Sequence, residues 1–156
     1  MKETIPELKL KGRTVLVGIG NRSRGDDAAG LKVVDKVGEK IDREEILFLN
    51  TGTVPEKYTS KIKEFEPDNI LLIDSVEIEE EPGTVSLVDP DGILKEKVSS
   101  HRLPLSMLIE YLEEETDGEV FFIGIQPKRL DIGDEMSEPV RESIEYLVEI
   151  LIDSIE

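Results

Sequence analysis

The chain has 156 residues, 38% of them hydrophobic, which fits a single domain over 1–156 with a buried core. With 36 acidic against 19 basic residues the formal charge is −17, which argues against nucleic-acid binding by phosphate neutralisation and against an anionic membrane surface. Cysteine is absent, so there is no disulfide, thiolate nucleophile or thiolate ligand. A metal would have to be held by carboxylate, carbonyl or the single imidazole, His101.

No apolar run is long enough to span a bilayer and no leader pattern is visible, so a cytoplasmic protein is expected. Abundant Glu and Lys with few amides is a thermophile-like balance. The polar residues up to about Lys11 have no sustained period and read as a loosely held lead-in. Thr14-Val15-Leu16-Val17 predicts a first strand over about Arg13–Gly18, followed by the glycine-rich turn Gly18 to Gly30. Gly30, Val34, Val37 and Ile41 have helical spacing, predicting a helix over roughly 27–41 with Asp26 or Asp27 as N-cap or first-turn acid. Ile46-Leu47-Phe48-Leu49 is a second buried strand ending in Asn50-Thr51-Gly52-Thr53. Pro55, Tyr58, Ile62 and Phe65 mark a second helix, stopped by Pro67.

Ile70-Leu71-Leu72-Ile73 is a third buried strand that terminates on Asp74. Three apolar runs joined by two helices predict consecutive βαβ units and a parallel sheet. Thr84–Val88 is short and partly alternating, as an edge strand would be, and the lack of a helix before it predicts an antiparallel direction. The segment Asp89–Ser100 could extend to about 36 Å, longer than a typical strand of roughly 17–20 Å, so it could return His101 to the edge where the parallel strands end. Leu105, Leu108 and Leu112, with Pro104 in the first turn, predict a third helix. Val120–Ile125 is a fifth, central strand. Ser137 caps a long amphipathic helix carrying Val140, Ile144, Leu147, Val148, Leu151 and Ile155.

Ligand sites of open α/β sheets gather at the carboxyl ends of the strands, where this pattern puts its acids. Gly18-x-Gly20 lacks the third glycine of a dinucleotide fingerprint, Ser23 standing in its place, and the second strand ends in Asn50 rather than an acid. The turn can also be read as structure alone, with glycines for the bend and acids as caps. Two adjacent acids exceed what one cap requires, and successive first-turn residues point apart, leaving one carboxylate free. Asp74 alone could be a turn residue and His101 alone a hydrogen-bonding residue. Together, Asp27, Asp74 and His101 would make a two-carboxylate, one-imidazole set suited to a borderline divalent ion. Asp74 and His101 are expected at solvent-facing positions. No H-E-x-x-H motif and no nucleophile elbow is present.

Gly18-Ile19-Gly20-Asn21 with Asp26-Asp27, Leu71-Leu72-Ile73-Asp74-Ser75 and Ser99-Ser100-His101-Arg102-Leu103, followed by Ile123-Gly124-Ile125-Gln126-Pro127, resembles the maturation endopeptidases of nickel-iron hydrogenases in motif order and spacing. The resemblance covers about residues 13–150. It implies a three-layer α/β/α sandwich around a five-stranded mixed, mostly parallel sheet with the fourth strand antiparallel. It also implies removal of a C-terminal extension from a hydrogenase large-subunit precursor after nickel insertion. Asp27, Asp74 and His101 would be the catalytic and metal-contacting residues, with nickel supplied by the substrate and none held tightly by the isolated, monomeric protein. In this resemblance Asn50 stands where an acid is common, and Asp27 where glutamate is common. Two other readings remain: a non-catalytic, metal-sensing chaperone of the same fold, and an aspartate-dependent peptidase with an unrelated substrate.

Overall fold

The computed structural model describes residues 3–5, 8–88 and 105–155; the predicted return segment Asp89–Ser100, His101 and Pro104 lie outside them. Among the described residues six strands form one sheet: β1 (Glu3–Thr4), β2 (Thr14–Gly18), β3 (Ile46–Asn50), β4 (Asn69–Ser75), β5 (Val85–Val88) and β6 (Glu119–Ile125), in the order β1-β5-β6-β4-β2-β3. The helices are α1 (Ala29–Lys40), α2 (Thr59–Phe65), α3 (Leu105–Glu115) and α4 (Glu138–Ser154). Single 3-10 turns at Gly25–Ala28 and Pro55–Tyr58 lead into α1 and α2, which shortens both predicted helices at their starts.

Strands β2 and β4 are buried at every position, as apolar runs covered on both faces must be. They pair in parallel with each other, and β3 and β6 flank them in the same direction. Side-chain alternation sorts the core into two clusters. Leu16, Leu71, Ile73 and Ile123 pack against Val33, Val37, Leu147 and Leu151 of α1 and α4. Val15, Val17, Ile70 and Leu72 pack against Ile62 of α2 and Leu105, Ile109 and Leu112 of α3 on the opposite face. This is the expected three-layer sandwich. No helix among the described residues is long and apolar enough to cross a membrane.

Strand β5 runs against the parallel set, but its partner is β6, which separates it from β4. The chain between β4 and β5 is carried across the end of β6 by Gln126, whose Oε1 accepts the N–H groups of Ile78 (2.8 Å) and Glu80 (3.3 Å). The expected loose lead-in is instead docked. Glu3–Thr4 adds a short parallel strand to the outer edge of β5. Leu8 and Leu10 are buried, and Leu10 forms a bridge to Ile155 while its N–H donates to the Ser154 carbonyl at 2.8 Å.

Candidate active site

The connection leaving β2 runs through α1 to β3 on one side, and the connection leaving β4 runs towards β5 and β6 on the other. The carboxyl ends of β2 and β4 therefore form the topological switch point of the sheet, where a crevice opens. The glycine turn after β2 folds over this point. Gly20 has to be glycine, because a Cβ there would run into the Asp27 carbonyl oxygen; a Cβ on Gly30 would run into the Ile73 carbonyl.

The paired acids divide their work. Asp26 is fully buried, and its carboxylate accepts four hydrogen bonds from the segment after β6. These come from the N–H groups of Lys128 (2.8 Å), Arg129 (2.9 Å) and Ser137 (2.7 Å) and from the Ser137 hydroxyl (2.8 Å). The Asp26 N–H in turn donates to the Arg129 carbonyl at 2.8 Å. Neither acid caps its own helix by a side-chain hydrogen bond. Ser137 does stand at the N-cap position of α4, but its hydroxyl is drawn to Asp26, a charge-assisted bond that outcompetes an ordinary cap.

Asp27 is also buried, at 6% exposure, and faces the end of β4. Its Oδ1 accepts from the Ser75 hydroxyl at 3.1 Å and its Oδ2 from the Asn21 N–H at 3.1 Å. Asp74 precedes Ser75 and is fully buried, so the expected solvent-facing position is corrected: β4 keeps its cover to its last residue. By the pleat, Ser75 shares the α1 side of β4 with Ile73, and Asp74 shares the α3 side with Leu72. The two acids thus flank the end of one strand from its two sides. The C-terminal end of α3 lies with Pro67 and Asp68 beside the start of β4, so the helix runs from the opposite edge of the sheet, and His101 lies outside the described residues. Among the described residues no three His, Asp or Glu side chains gather as a metal-holding group.

Asn50 ends β3 beside Gly18. Its Nδ2 donates to Asp35 Oδ1 at 2.6 Å, and Asp35 pairs with Arg22 at 3.0 Å. Sequence reasoning singled out Asp27 and Asp74 but missed the roles of Ser75, Ser137 and Asp35. Ser75 was findable from strand alternation; Ser137 and Asp35 meet their partners only through the tertiary fold.

The buried carboxylates stand at the switch-point crevice, where open α/β sheets of this class bind their ligands. A family model described as HycI, hydrogenase maturation protease, matches residues 31–154. The hydrogenase 3 maturation protease of Escherichia coli K12 is 31% identical over 138 residues, covering 88% of this chain and 87% of that protein. The crystal structure of the NiFe hydrogenase maturation protease HycI from Thermococcus kodakarensis KOD1 superposes with a TM-score of 0.85 at 37% identity, covering 92% of each chain. A crystal structure of the hydrogenase 3 maturation protease gives 0.79 at 30% identity, covering 89% of this chain and 88% of that one. The chain belongs to the hydrogenase maturation protease family.

Proposed function

We propose that this protein is the endopeptidase that removes the C-terminal extension of a nickel-iron hydrogenase large-subunit precursor once nickel has been inserted. The observation that carries the reading is the pair of buried carboxylates, Asp27 and Asp74, delivered by two separate elements to the end of β4. With His101 arriving just ahead of α3 they would make a set of oxygen and nitrogen donors for a borderline divalent ion. In this reading the nickel belongs to the substrate. It provides recognition and polarises the scissile carbonyl or a water, while a carboxylate of the pair takes the proton as general base. Ser75 and Asn21 hold Asp27 in place for this by their hydrogen bonds to its two oxygens.

The test is to mix the protein with nickel-loaded and nickel-free precursor and follow the mass of the large subunit. Release of the C-terminal peptide from the loaded form alone is the expected result, with His101→Ala and Asp74→Asn losing about a hundredfold or more in rate through misplacement of the reacting groups. Equal cleavage of both forms would mean an aspartate-dependent peptidase without nickel recognition. Tight binding of loaded precursor without cleavage would mean a metal-sensing chaperone.

A further inference from the structure

Beside Asp27, at the carboxyl ends of β2 and β3, lies an open groove of about 430 Å³ bordered by Gly20, Asn21, Arg22, Leu31, Asn50 and Gly52. This volume is within the range of about 300–1,000 Å³ usual for ligand sites. The groove and Asp27 share a wall, because the Asn21 N–H is the donor to Asp27 Oδ2. Backbone bonds fix the rest: the Gly20 N–H donates to the Gly52 carbonyl at 2.9 Å, and the Thr51 N–H to the Gly18 carbonyl at 2.9 Å.

The Asn50 carboxamide is the least constrained part of this wall on one side and the most constrained on the other. Its Oδ1 is buried with no hydrogen-bond donor among the described residues and lies over Gly18, where a Cβ would strike it. Its Nδ2 is held by Asp35 at 2.6 Å, with the Leu31 carbonyl only at 3.5 Å. An amide with one unsatisfied end would turn over to satisfy it unless the other end were tied strongly, and the charged Asp35 oxygen is that tie. The exposed Arg22–Asp35 pair is of a kind worth little to stability. It does, however, bring Asp35 and Arg22 together at the rim of the groove.

Building on the function proposed above, we propose that this groove receives an extended segment of the substrate chain next to the scissile bond, and that Asp35 is a positioning residue that sets the Asn50 wall of that subsite. Gly52 has open space where a side chain would stand, which leaves room for a polypeptide backbone to lie close, and the Asn21 carboxamide on the groove wall offers it a polar partner.

The test is steady-state processing of nickel-loaded precursor by the wild type, Asp35→Ala, Asn50→Asp and the double exchange Asp35→Asn/Asn50→Asp, with thermal unfolding of each. Asp35→Ala should raise KM about tenfold while kcat stays within about twofold, the pattern of lost substrate binding rather than lost chemistry. Asn50→Asp sets two carboxylates against each other, so they hold one proton between them to higher pH than either would alone; processing should fall as pH rises and that proton leaves. The double exchange restores one amide and one carboxylate and should restore the wild-type pH profile. Variants that shift the melting temperature but keep wild-type KM and pH profile would overturn the subsite while leaving the proposed function standing. A wild type that leaves loaded precursor intact would overturn the function, and the subsite with it.

Discussion

Two neighbouring aspartates with the same chemistry serve opposite ends here because the 3-10 turn points them apart. Asp26 satisfies three backbone N–H groups and a hydroxyl of the segment that follows β6, so it is a structural anchor with a buried charge. Asp26→Ala would strand those donors, and a loss of about 3 kcal/mol is expected in urea unfolding, where hydrogen bonds to charged groups contribute about 1.5–3 kcal/mol each and rarely add in full. A loss below about 1 kcal/mol would mean that water replaces the carboxylate easily. Asp74 requires a different variant. Full burial means that Asp74→Ala costs stability as well as function, about 1–3 kcal/mol for disrupting a buried polar site. Asp74→Asn keeps the shape and removes the charge, which makes it the cleaner probe of chemistry.

The elements most legible in the sequence are those with near-continuous burial, β2 and β4 at every position and β6 over its last four residues. The apolar runs of β2, β4 and β6 read as covered strands, and their order puts Asp74 at the end of β4 and Asp27 in the turn between β2 and α1. The docked amino-terminal segment was less legible, since Glu3–Thr4 pairs through its backbone and two residues carry no pattern. A signal did exist: Leu8-Lys9-Leu10-Lys11 alternates with period two, and both leucines are buried. Asp26 gave no local hint of its partners, which lie 102 to 111 residues away. Leu10→Ala is therefore expected to destabilise by about 2–5 kcal/mol, the cost of truncating a fully buried leucine, and a near-zero change would show the segment to be dispensable. Between α1 and α4, Lys36 and Glu145 meet at 2.9 Å. The hydrogen bond from Lys36 holds the Glu145 carboxyl below its ordinary pKa and raises that of Lys36 in return. The contribution of Glu145 is present above the unfolded carboxylate pKa and lost as pH falls through its lowered value. That of Lys36 is present below the unfolded lysine pKa and lost as pH rises through its raised value. Side-chain NMR titration should place Glu145 lower in the wild type than in Lys36→Ala; an unchanged midpoint would mean that the pair is open in solution.

At the scale of the whole molecule the dominant electrostatic fact is the charge of −17, which the fold must confine in one compact body. The described ion pairs, Arg22–Asp35, Lys36–Glu145 and Lys63–Glu115, are all at least partly exposed, and exposed pairs contribute little. Repulsion among the remaining acids acts over longer distances and weakens the compact state relative to the expanded one. Salt changes the balance in a predictable direction. Raising ionic strength from about 0.01 M to about 0.15 M shortens the screening length from about 30 Å to about 8 Å, which removes most long-range repulsion while pairs in direct contact lose less. Thermal unfolding at neutral pH should accordingly move to higher temperature across that range, in sodium chloride and potassium chloride alike. A melting temperature that falls instead would mean that the three ion pairs and the hydrogen-bonded carboxylates outweigh the net charge, and that stability rests on local pairing. A rise confined to a divalent salt would point to specific cation binding by the acidic surface, with general screening too weak to matter.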